Sequence, residues 1–267
     1  MAALISSPGL SGHPRILPRS RFRAAAVHLL ASALVAGLVA VLIFRLWYPA
    51  PFDTIAGGAS LFVLLVSVDV VLGPALTLVA ASPRKPSREF RRDLAVIIAL
   101  QIAAFGYGVS TIAVARPVFI SFEIDRFRVV TAGDVESDQL AAAPPELRSM
   151  PWRGPELIAA VKPTNPEEQL KSIELGLAGF DLSMIPKNWR SYASQRDAVW
   201  KAARPIAILA SKYPANELEV ARQARMAGLP VSSLRFLPVM SRRASWVAVL
   251  GPPDARIVGY LPVEGFF

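Results

Sequence analysis

Residues 55–81 read IAGGASLFVLLVSVDVVLGPALTLVAA. A bilayer-spanning helix takes about 20 mostly apolar residues, so the run is long enough to cross a membrane. Yet it holds Asp69 near its middle and Pro74 a turn later. An ionisable group is costly in lipid, and proline removes a helix hydrogen bond. Two neighbouring runs settle the class. Ala24–Phe44 reads AAAVHLLASALVAGLVAVLIF, and Leu94–Ala115 reads LAVIIALQIAAFGYGVSTIAVA. The predicted fold class is therefore a membrane protein. Three transmembrane helices (about 24–44, 55–81 and 94–115) are followed by an extracytoplasmic α+β domain over 116–267 with an antiparallel sheet.

Composition agrees with that segregation. Of the 267 residues 53% are hydrophobic, yet 18% are still charged. There is no cysteine, which excludes disulfides, thiolate catalysis and zinc–cysteine sites. The two histidines, His13 and His28, both precede residue 30, so a Ser-His-Asp triad or a histidine metal site is excluded in the C-terminal half. No cofactor and no metal is expected.

The net charge of +9 invites a nucleic-acid reading, but its placement argues against one. Arg15, Arg19, Arg21 and Arg23 precede the first span, and Arg84, Lys85, Arg88, Arg91 and Arg92 separate the second from the third. Such clusters mark cytoplasmic segments and contact anionic headgroups. The N-terminus and second loop are thus expected in the cytoplasm, with everything from about Arg116 outside. Residues 1–23 are expected to form a disordered cytoplasmic tail. The first span is longer than the 7–15 apolar residues of a signal peptide and is followed by Arg45-Leu46-Trp47-Tyr48-Pro49, a poor cleavage site. It is expected to remain as an anchor.

In the outer domain, Pro117–Phe122 and Arg126–Thr131 predict two strands around a turn. Glu156–Val161 fits a strand or a short helix. Asn165 opens a helix with Pro166 at its first turn and early glutamates, and Tyr192–Ala203 and Ala215–Ala227 predict two more. Leu234–Val239, Ser245–Leu250 and Arg256–Leu261 predict a closing meander. Strands at both ends with helices between give the α+β expectation.

Asp69 is the main candidate site residue. A proton relay, an intramembrane aspartyl protease and a helix-docking point are the functional options. The structural option is a buried carboxyl satisfied by its neighbours. Aspartyl chemistry needs two carboxylates at one site, and Asp93 lies well over 10 Å along the helix direction from the level of Asp69, at about 1.5 Å per residue. Transport through three spans has few walls. Gln101 and Tyr107 on the third span bracket the depth of Asp69, and an interhelical hydrogen bond from either would satisfy it. Pro74 is expected to free the carbonyl of Val70 and kink the helix, with Gly73 admitting a close neighbour and Thr77 bonding back to Gly73. Stripes of small residues, Ser32/Ala36/Ala40 and Ala95/Ala99/Ala103, predict close packing. Trp47, Tyr48, Pro49 and Pro51 predict a rigid interfacial turn. Trp152, Trp189, Trp200 and Trp246 are expected as core or packing residues rather than a binding cage. No P-loop, GxSxG, HExxH or dinucleotide fingerprint occurs.

Taken in order, Trp47-Tyr48-Pro49-x-Pro51, Asp69-x-x-x-Gly73-Pro74-x-Leu76-Thr77, Asp93-Leu94 with Gln101, Tyr107-Gly108, Arg116-Pro117 and Asp125-Arg126-Phe127 carry a resemblance. The chain resembles the TfpX/TfpZ family of type IV pilin accessory proteins, to which FimB-like proteins also belong. The match is dense over residues 45–135 and looser beyond, where Leu237-Pro238 fits. The resemblance implies a non-enzymatic inner-membrane protein of Gram-negative bacteria that assists type IV pilus assembly. The implied partners are the cognate pilin or the assembly platform, along with the lipid bilayer. The alternative is a membrane-anchored periplasmic sensor or binding protein acting through a partner, since the cytoplasmic parts are too small for an output domain.

Overall fold

The computed structural model describes residues 18–80 and 86–267. Most of the expected tail (residues 1–17), and the loop cations Arg84 and Lys85 within 81–85, lie outside the described residues. The chain divides into two compact units. One takes the described residues up to Val39 together with Phe62–Ser110, and the other takes Ala40–Leu61 with Thr111–Phe267.

Among the described residues, five α-helices precede the first strand: α1 (Pro18–Leu42), α2 (Phe52–Ile55), α3 (Gly58–Val66), α4 (Gly73–Ala80) and α5 (Ser87–Val114). Three helical stretches among the described residues are long and apolar enough to cross a membrane: Phe22–Trp47, Gly58–Ala80 and Ser87–Val114. The second expected span is thus two pieces. Its first residue, Ile55, ends α2, and the long helix starts only at Gly58. A π-helical turn, Ser67–Leu72, joins α3 to α4. Of the two small-residue stripes, the first buries Ala36, while Ala95, Ala99 and Ala103 are all exposed.

The second unit is built on an eight-stranded sheet. Its strands are β1 (Pro117–Glu123), β2 (Arg126–Thr131), β3 (Glu156–Ala160), β4 (Trp189–Ser191), β5 (Arg204–Pro205), β6 (Arg235–Met240), β7 (Ser245–Gly251) and β8 (Arg256–Leu261). The order is β4-β3-β1-β2-β6-β7-β8, with β5 on β6. The sheet is mixed, which corrects the antiparallel expectation. Neighbours in sequence, β1–β2 and β6–β7–β8, do pair antiparallel, because short turns allow nothing else. But β3 runs parallel to β1 and β2 parallel to β6. The chain leaves β2 beside Pro117 and re-enters at Glu156 beside Phe119. Entering at the same end as β1, β3 must run in its direction.

Both faces of the sheet are covered, so β1 is buried at every position. One face packs Ile120, Phe122, Phe127, Val129, Leu237 and Val239 beneath α7 (Arg196–Ala202). The other is split. Trp189 and Phe119 fill one end, and α8 (Ile206–Lys212) with α9 (Glu217–Ala227) covers Phe236, Val247 and Val249 at the other. Helix α6 (Pro166–Leu177) starts as expected, with the Asn165 side chain accepting from the Glu167 N–H.

The segment between the first two long helices belongs to this unit. Phe52 and Ile55 of α2 sit in the same core as Phe127 and Leu237. Tyr48 is fully buried, and its hydroxyl donates to the Ile112 carbonyl at 3.0 Å. Gly58 is required beside it, since a Cβ there would stand 2.4 Å from the Tyr48 ring. Burial pushes the Tyr48 phenol up, so it stays a neutral donor. Trp47 is buried as well and meets Trp152 edge-on, with ring centroids 5.6 Å apart. Of the residues expected to form a rigid interfacial turn, Trp47 and Tyr48 are buried and Pro49 and Pro51 half-buried, so the turn is a strap packed into this unit.

Candidate functional site

Proline has no N–H, so the carbonyl that would have faced it is left without a partner. In an α-helix that carbonyl is Val70's, as the sequence suggests. In a π turn the spacing is i to i+5, and the carbonyl facing Pro74 is that of Asp69. The structure supplies the missing donor from α5: Gln101 Nε2 donates to the Asp69 carbonyl at 3.3 Å. Gly73 makes this approach possible, because a Cβ there would lie 1.9 Å from Gln101 Nε2. Pro74 frees a carbonyl, Gly73 opens the path, and Gln101 fills it.

One turn further on, Thr77 Oγ1 pairs with His28 Nδ1 of α1 at 2.6 Å. It reaches another helix rather than back to Gly73. Asp69, Gly73 and Thr77 recur at four-residue spacing and are all buried, so they form one seam along the second long helix. Tyr107 does not join it, being 76% exposed. The Asp69 side chain is only 7% exposed, and its Oδ1 has no hydrogen-bond partner among the described residues. The Gln101 Oε1 is likewise without a partner. The seam therefore holds buried acceptor atoms with hydrogen-bonding capacity to spare. The part played by His28 had one signal in the sequence, a lone histidine in an apolar run.

A second polar cluster, in the sheet unit, was not anticipated. Glu123 ends β1 and is buried. Its Oε2 accepts from the Ser183 hydroxyl at 2.5 Å and the Ser183 N–H at 3.2 Å. Trp189 Nε1 donates to the Ser183 carbonyl at 2.8 Å, and Arg128 pairs with Asp181 at 2.5 Å. A glutamate closing the apolar strand PVFISFE was the available signal. Burial pushes the Glu123 carboxyl above its usual range, with Asp181 adding to the effect, while the Ser183 bonds and Arg128 oppose it. The folded state therefore holds the proton more tightly than the unfolded one. This stabilisation is full below the ordinary glutamate range and fades as pH rises through the folded value. Glu123→Gln is expected to unfold at a higher temperature than wild type near pH 7 and at a similar one near pH 4. Thermal melts at the two pH values check this.

Comparison with known proteins adds the following. The family model for fimbrial assembly protein FimB matches residues 17–57, covering the first long helix and the strap. The fimbrial assembly protein of serogroup I from Dichelobacter nodosus is 38% identical over 226 residues, 84% of this chain and 88% of that protein. The serogroup E1 protein of the same organism matches to the same extent. The protein of serogroups C1 and C2 is 43% identical over 117 residues, 44% of this chain and 89% of that one. No solved structure matches the chain. At this identity over most of both chains, the protein belongs to the fimbrial assembly family typified by FimB.

Proposed function

We propose that the chain spans the bacterial inner membrane three times and acts as a non-enzymatic accessory of type IV pilus assembly. Its N-terminus is cytoplasmic and its sheet unit periplasmic. The observation that carries this reading is the kinship with fimbrial assembly proteins over most of both chains. The clustering of Arg88, Arg91 and Arg92 in the first turns of the third long helix supports the orientation.

In this reading Asp69, Gly73, Pro74, Thr77 and Gln101 brace the second long helix in its π-turned form. The helix then offers its outer face, where Val63, Leu64 and Val71 are exposed, to the apolar helix that a pilin keeps in the membrane before assembly. The sheet unit engages the pilin's head or the assembly platform.

A photoreactive residue at Val71 tests this in cells. It is expected to capture the cognate pilin, whereas the same probe at Val35 of α1, also exposed, captures little. Equal capture from both positions, or none from Val71, overturns the docking role.

A further inference from the structure

Trp152, expected as a core or packing residue, packs edge-on against Trp47 and is still 60% exposed. It belongs to a loop tied to the end of the first long helix, where the Gly154 N–H donates to the Leu46 carbonyl at 2.5 Å. Arg116, just past the end of α5, places its guanidinium 5.8 Å from the Trp152 ring. Arg45 and Arg153 each adjoin the Leu46–Gly154 bond in sequence, and both are exposed. Neither has an ion-pair or hydrogen-bond partner among the described residues. Arg243 closes the other end of the strap, its side chain lying 2.9 Å from where a Gly57 Cβ would stand. The strap's own carboxylate, Asp53, accepts from the Thr54 N–H.

Two buried donors here lack acceptors: Trp47 Nε1 and Arg116 Nε. Arg116 Nη1 already donates to the Ala113 carbonyl at 2.8 Å, but one guanidinium N–H, one indole N–H and two exposed arginines without acceptors, at the level where apolar helices end, call for a phosphate or ester oxygen. From this juxtaposition we infer that Arg45, Arg153, Arg116 and Arg243, with Trp47 and Trp152, form a binding site for the headgroup of an anionic phospholipid. The arginines neutralise the phosphate, and Trp152 lies in the ester layer with its ring against Arg116. Free phosphate lacks the acyl chains that hold a headgroup at this level, so the lipid is the occupant. The inference rests on the membrane-spanning reading, though not on which side the sheet unit occupies.

Native mass spectrometry of the full chain, released from micelles with equal phosphatidylglycerol and phosphatidylethanolamine, tests it. Wild type is expected to retain phosphatidylglycerol preferentially. Arg45→Gln/Arg153→Gln is expected to lose about tenfold or more of that retention, at roughly a kcal/mol per basic residue near a charged surface. The control pair Lys201→Gln/Arg225→Gln, also exposed, should keep it. Equal retention of both lipids by wild type, an unchanged Arg45/Arg153 variant, or an equal loss in the control pair overturns the inference. So does displacement of the lipid by millimolar inorganic phosphate. Thiol labelling of a single cysteine placed at Ser137 reads the side of the sheet unit separately. A cytoplasmic result there removes the orientation reading and leaves the lipid measurement intact.

Discussion

Phe52→Ala is expected to destabilise the sheet unit by about 3–5 kcal/mol, the range for deleting a buried phenylalanine side chain. Phe52 lies in a short loop between two apolar helices, where a substitution would ordinarily cost under about 0.5 kcal/mol. Here its ring meets Tyr260 of β8 edge-on, with centroids 5.4 Å apart, and it shares a core with Ile120 and Leu237. A domain of this size has a total stability of about 5–15 kcal/mol, so the loss is a large share of it. Denaturant unfolding of the full chain in detergent, followed by near-ultraviolet circular dichroism, measures the effect. Phe180→Ala, at a partly exposed phenylalanine outside the core, is the matched control and should change little. If the two variants unfold alike, the strap is a surface turn and its burial contributes nothing.

That expectation was hidden in the sequence for a definite reason. Trp47, Tyr48 and two prolines beside an apolar run have the composition of a membrane-interface turn, and composition is blind to which surface buries them. The distinction lies in contacts far along the chain, Tyr48 with Ile112 and Phe52 with Tyr260. The same limit applies to the sheet. Arg126–Thr131 and Arg256–Leu261 were legible to the residue, because alternation and turn residues are local signals. The parallel pairing of β1 with β3 was not, since it follows from where a long connection returns. The short strands β4 and β5 and the helix α8 were missed for want of a local pattern. Trp152 packs on Trp47 yet keeps most of its surface exposed, a division that composition alone does not specify.

The seam was half legible. Asp69, Gly73, Pro74 and Gln101 are the residues that the sequence marks as out of place in an apolar helix, and the structure brings all four together. The choice between Val70 and Asp69 as the freed carbonyl turns on the π turn. Single-helix geometry cannot specify that turn, because the donor that satisfies it comes from another helix. Thr77 has a local option, the carbonyl four residues back, and takes a distant one on His28 instead.

Gly73→Leu is the substitution expected to break this seam. A Cβ at that position would fall 1.9 Å from Gln101 Nε2, and the larger leucine side chain must displace the whole amide. Overpacking costs about 1–3 kcal/mol, and an orphaned buried carbonyl adds about 1–3 more. The summed loss, about 2–6 kcal/mol, should appear as a lower midpoint when the protein is unfolded by increasing sodium dodecyl sulfate in mixed micelles. Two second-site changes separate the causes. Gln101→Ala in the Gly73→Leu background relieves the clash and should recover the steric part, while leaving the Asp69 carbonyl unpaired. Pro74→Ala restores a backbone N–H, which can close the i to i+5 bond on its own. In that background Gln101→Leu should lose most of the cost it carries in wild type. A double-mutant cycle between positions 74 and 101 isolates the coupling, which is expected to be favourable and about 1 kcal/mol or more. Zero coupling would mean that Gln101 does not replace the hydrogen bond that proline removes, and that the bend at Asp69 is held by packing alone.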